Sequence, residues 1–144
     1  MGKFKFKPAY AALILILIYL GSLVMINPFG PSLSLPKENI INYKLTEEQE
    51  DYAIKLGKTV IAFEYDEACE PCVEQKVFLE KIAREQKNQI ILQEISMDLT
   101  NSTRLRFVSY YGEKFLRNPS ENEIWDTLCL LMINPPTYCA LREV

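Results

Sequence analysis

Residues 59–83 read TVIAFEYDEACEPCVEQKVFLEKIA. The first seven, Thr59 to Tyr65, are a β-branched and aromatic run short enough for a buried strand. From Pro71 onward Val73, Val77, Phe78, Ile82 and Ala83 recur at helical spacing, and Glu80 and Arg84 are placed for an i,i+4 pair. Pro71 suits a first helical turn. At the join between strand and helix stand Cys69 and Cys72, one turn apart. Glu64, Asp66, Glu67, Glu70 and Glu74 surround them, and Lys76 is the nearest base. A thiolate gains from positive neighbours, so this acidic setting raises the question of what the pair is for.

The same local reading extends in both directions. Thr46 with Gln49 fits a capping box and Gly57 fits a helix end, which predicts a helix over Glu47 to Leu56. Gln89 to Ser96 reads as a second strand. Asn101 or Ser102 then caps a helix ending near Gly112, with Tyr110 and Tyr111 as partly exposed helix residues. Ser120 with Glu123 forms another capping box and opens a short helix around Ile124 and Trp125. The tail, TLCLLMINPPTYCALREV, has two readings. In one, Leu128 to Ile133 is a strand that returns as a hairpin through a Pro135–Pro136 turn. In the other the helix continues to Ile133, and Pro136 opens a final strand. A six-residue apolar run bounded by a Pro-rich turn favours the hairpin.

The amino-terminal end differs in kind. No charge occurs between Lys7 and Lys37, and residues 9–26 are almost wholly apolar. As a helix those residues span roughly 27 Å, close to a bilayer's hydrocarbon core. The neighbours of Gly21 and Ser22 are large, and no small-residue cleavage site follows, so an uncleaved anchor is the better reading. Residues 1–8 then form a basic cytoplasmic end, 9–26 the span, 27–44 a Pro/Gly/Ser-rich linker, and 45–144 one domain. Lys3, Lys5 and Lys7 precede the span, which places the domain outside the cytoplasm, where disulfides persist. Of the 16 bases, 13 lie beyond those three lysines, against 19 acids, a net charge of −6. That balance and the lack of a basic stripe exclude nucleic acid as a partner class.

The order helix, strand, C-x-x-C helix, strand, helices, terminal strand or hairpin is an α/β order. Over residues 45–98 the chain resembles the thioredoxin family: LTEEQEDYAIKLGKTVIAFEYDEACEPCVEQKVFLEKIA is similar to its first helix, Gly-Lys turn, core strand, active-site C-x-x-C and following helix. The resemblance implies a central mixed sheet flanked by helices, with the cysteines at the carboxyl end of a strand. It also implies thiol–disulfide exchange on protein or peptide disulfides. The chain departs from the family in having Ala68 where an aromatic precedes the first cysteine and Phe63 where many members bury an acid. The family's cis-proline and threonine find a match in Pro136 and Thr137 only if the last helix continues to Ile133. The closing carboxyl-terminal helix is absent from both tail readings.

Thiol exchange needs a reactive thiolate and a second thiol able to resolve the mixed disulfide. Cys69, at a helix start, gains from the dipole as a thiolate, and Cys72 is the resolving partner. These two are the expected catalytic residues, with no organic or metal cofactor. The electrons come from another thiol pair. A Cys₄ zinc site is disfavoured because Cys129 and Cys139 do not form a second tight knuckle. Whether those two bridge is left open by the sequence. The rival reading is a membrane-tethered binding module whose cysteines merely stabilise it.

Overall fold

The computed structural model describes residues 33–141. Their sheet has five strands: β1 (Ile40–Ile41), β2 (Thr59–Tyr65), β3 (Ile90–Ser96), β4 (Thr103–Ser109) and β5 (Gly112–Arg117). The strand order is β1-β3-β2-β4-β5. The first three run parallel, and β4 and β5 are antiparallel additions. Four helices accompany them: α1 (Glu47–Lys55), α2 (Glu70–Glu85), α3 (Glu121–Leu131) and the single turn α4 (Thr137–Ala140). This mixed sheet flanked by helices is compatible with the thioredoxin-like expectation. The predicted membrane span lies outside the described residues, among which no helix is long and apolar enough to cross a membrane.

Side-chain alternation divides the core between the two sheet faces. Ile61, Phe63 and Tyr65 of β2 point one way, into a cluster with Leu79 and Ile82 of α2 and Ile124 and Leu128 of α3. Val60 and Ile91 point the other way, against Ala53 of α1 and Ile41 of β1. At about 25 cal/mol per Å² of apolar area, each such buried Phe, Leu or Ile contributes about 1.5–3 kcal/mol, so α2 is held chiefly by its buried stripe. The predicted α1 is present with both arms of its capping box, Thr46 Oγ1 accepting from Gln49 N and Gln49 Oε1 from Thr46 N. Gly57 follows it at φ +78, a conformation that costs other residues strain. The Glu80–Arg84 pair also forms, at 2.6 Å.

Three expectations are overturned. First, residues 103–117 are a β-hairpin and not a helix from Asn101 to Gly112. Thr103, Leu105 and Phe107 alternate inward, with Arg104 and Arg106 between them less buried, a period of two that suits a strand. Gly112, at φ +130, begins β5 after the turn, and Tyr110 and Tyr111 sit exposed at that turn. Second, the tail hairpin does not form. Ile124, Thr127, Leu128 and Leu131 make one buried helical stripe, so α3 runs to Leu131. Pro136 caps α4, and no final strand follows it among the described residues. No cis peptide bond occurs among the described residues, so Pro136 is not a cis-proline. Third, a closing helix is present: α3 follows β5 and packs on the core. The sheet also begins inside the stretch read as linker, since Ile40 and Ile41 pair with Leu92 and Gln93.

Candidate functional site

Cys69 is the N-cap of α2. Its backbone is extended, and its Sγ accepts from Cys72 N at 3.2 Å. The helix start thus uses a sulfur where most helices use an oxygen. Pro71 occupies the first turn, where an absent N–H costs nothing. The two cysteines are bridged, with Cα atoms 5.2 Å apart.

The pair is less open than a reactive thiol at a helix start would suggest: Cys69 is 5% and Cys72 3% exposed. What access remains is through a cleft of about 390 Å³, lined besides the cysteines by Pro71, Gln75, Asn101, Thr103, Asn118 and Pro119. Its walls come from separate parts of the chain. Asn118 Oδ1 accepts from Thr103 N at 2.7 Å, and Asn118 N donates to Thr103 O at 3.0 Å, closing the end of the β4–β5 ladder. Gln75 Nε2 donates to Pro119 O at 2.6 Å, joining α2 to the opposite wall. Asn101 and Asn118 both have positive φ, which asparagine tolerates better than most residues.

The five acids separate into distinct roles. Asp66 is structural: Oδ1 accepts from Ala68 N at 2.9 Å and Oδ2 from Asn101 N at 3.2 Å, tying the loop before Cys69 to the loop before β4. Glu64 faces the α1 side of the sheet, 4.0 Å from Arg104. Glu67, Glu70 and Glu74 are exposed. Lys76 does not offset them, because it is held elsewhere. Its Nζ lies 3.2 Å from Glu94 and 5.3 Å from the centre of the Tyr65 ring. Hydrogen bonding to Tyr65 and then to Glu94 holds this ammonium above its ordinary pKa, against the opposing effect of burial. Burial pushes the Glu94 carboxyl up, with Lys76 pulling it back. Glu94 Oε1 is buried without a hydrogen-bond partner.

Cys129 and Cys139 form a second bridge, Cα atoms 5.5 Å apart, that pins α4 to the far end of α3. Trp125 packs between Phe78 and Tyr138 beside it. Cys129 lies nine residues beyond Ser120, about 13 Å along the helix from the cleft wall. Among the described residues no cluster of three or more metal-binding side chains occurs.

The expected pair, Cys69 and Cys72, is therefore brought together at a cleft. Sequence reasoning did not find Gln75, Asn101, Thr103 or Asn118. Only the Ser120–Glu123 capping box marked a helix start near that wall. No protein-family model matches the chain, and no curated protein matches it.

Proposed function

We propose that this chain is a membrane-anchored thiol–disulfide oxidoreductase with a thioredoxin-like extracytoplasmic domain. The observation that carries the reading is the Cys69–Cys72 bridge at the start of α2, capping that helix and lining a cleft. From the oxidised form, a partner's thiolate attacks Cys69 Sγ. The Cys69–Cys72 bond breaks, and its electron pair leaves on Cys72, which takes up a proton. A second partner thiol, losing its proton, then displaces Cys69. The partner leaves as a disulfide, two electrons poorer, and the protein as a dithiol. In the reverse direction Cys69 attacks a partner disulfide and Cys72 resolves it. No cofactor enters either sequence, and the return electrons pass to or from a dithiol or disulfide of another protein.

Support for the anchor comes from residues 9–26 and the three preceding lysines. The rival, a non-catalytic binding module with a structural bridge, is favoured by the low exposure of both sulfurs. The deciding experiment uses Cys72→Ser in the full chain. Exchange predicts a trapped mixed disulfide through Cys69, and a reduced wild type that reacts with a neutral thiol reagent faster than an ordinary protein thiol. A variant that traps nothing, together with a slow wild-type reaction, would establish the binding module instead.

A further inference from the structure

The residues lining the cysteine cleft carry no charge, while the charges exposed beside it are mostly acidic. Glu67, in the loop before α2, and Glu70 and Glu74, in its first turns, are exposed, as are Glu121 and Glu123 just past Pro119. The bases that could neutralise them are committed or turned away. Lys76 is paired with Glu94 and Glu80. Arg104 directly follows Thr103, and Arg117 directly precedes Asn118. Alternation along the strands therefore sends both arginines to the opposite face. There they line a separate hollow of about 450 Å³ with Lys44 and Arg106. Hydrogen bonds from the Ser120 N–H and hydroxyl, and only then nearby Lys114, hold the Glu123 carboxyl below its ordinary pKa.

The sheet thus presents two hollows of contrasting character, an uncharged one with acids exposed beside it and one in which four bases outnumber the single acid Glu64. We propose that the Cys69–Cys72 cleft selects partners whose reacting cysteine is flanked by lysine or arginine. The inference rests on the exchange reading above. Carboxylates placed around a partly enclosed site raise the local concentration of cationic partners and disfavour anionic ones, chiefly through the encounter rate. Gln75, Asn101 and Asn118 are neutral amides suited to polypeptide of any sequence, so discrimination falls to the rim.

The test uses the reduced full chain in neutral detergent micelles and three synthetic peptide disulfides of one frame, flanked by lysines, by serines or by glutamates. Each reduction rate is divided by the rate with a small neutral thiol, which removes the peptides' own reactivity differences. At low ionic strength the lysine peptide should react about tenfold faster than the glutamate peptide, and the gap should shrink to about twofold in 0.5 M salt, roughly, as screening removes the field. The triple variant Glu67→Gln, Glu70→Gln, Glu74→Gln should narrow the gap without salt, adding Glu121→Gln and Glu123→Gln should close it, and Arg104→Gln with Arg117→Gln should leave it. Equal normalised rates for the three peptides, with exchange still occurring, would overturn the charge selection alone. No exchange with any peptide would overturn the exchange reading and this inference together.

Discussion

Gln75 and Pro119, 44 residues apart, are joined by a 2.6 Å hydrogen bond from the glutamine amide to the proline carbonyl across one end of the cysteine cleft. The bond fixes the distance between the helix that carries the cysteines and the loop that leads into α3. The oxygen of the same amide, Gln75 Oε1, is buried without a hydrogen-bond partner. Gln75→Ala should lower stability by about 1 kcal/mol, the net worth of one such bond. It should also increase the rate at which a bulky thiol reagent reaches reduced Cys69, because a tether between the walls is lost. Urea unfolding and reagent kinetics read the two effects. Faster labelling is the informative result; unchanged labelling would mean that the tether does not limit access.

Glu94 gives a pH signature of defined sign. Its pKa is raised in the folded state, chiefly by burial. The stability it contributes is therefore full below the ordinary carboxyl pKa and is lost as pH rises through the folded value. Glu94→Gln should accordingly gain on wild type as the pH rises through that window, with Lys76 protonated throughout. Denaturation curves of both proteins across the acid range provide the difference. A variant that loses ground as pH rises would show that Lys76, not burial, dominates at this carboxyl.

The second bridge should matter for stability and not for exchange. It closes a loop with a sequence separation of 10. Removing it with Cys129→Ser and Cys139→Ser should cost about 2–3 kcal/mol on the loop-entropy estimate. Reduction of a neutral peptide disulfide should proceed at the wild-type rate under native conditions, because this bridge lies at the far end of α3. A parallel loss of exchange in a protein that remains folded would bring the second pair into the chemistry.

Topology provides the fourth prediction. If the proposed anchor keeps Lys3, Lys5 and Lys7 inside, protease added to intact cells or right-side-out vesicles should digest the domain and leave the amino-terminal segment protected. Protection of the domain until the membrane is opened would reverse the assigned orientation.

Where signals are local, the sequence was readable. The Thr46–Gln49 and Ser120–Glu123 boxes each satisfy their own helix ends, and β2 needs only its seven residues to show a buried strand. Residues 103–117 were misread because Asn101 and Ser102 look like caps and Gly112 like a helix end. The alternation of Thr103, Leu105 and Phe107 carried the contrary message, but the Tyr110–Tyr111 turn lacks the Asn-Gly signature of a tight hairpin. In the tail, Pro135 and Pro136 mimic a hairpin turn, while the stripe that makes α3 a helix becomes visible only once the core it faces is known. The cleft was the least legible part. Its walls are separated in sequence by up to 50 residues, Cys69 to Pro119, and strand order alone makes them neighbours.

Cys69 both caps α2 and carries one half of the Cys69–Cys72 bridge, and α2 reaches deep into the core through Leu79, Ile82 and Ala83. Opening the bridge therefore changes the acceptor at the start of a helix on which the whole fold depends. By the closed thermodynamic cycle, any difference in unfolding free energy between the dithiol and disulfide forms must reappear as a difference between the reduction potentials of the folded and unfolded chains, about 30 mV for every 1.4 kcal/mol. A pair of melting curves, one oxidised and one reduced, thus reports how far folding shifts the potential of this bridge. A substitution anywhere along α2 that stabilises one form over the other retunes that potential without touching either sulfur.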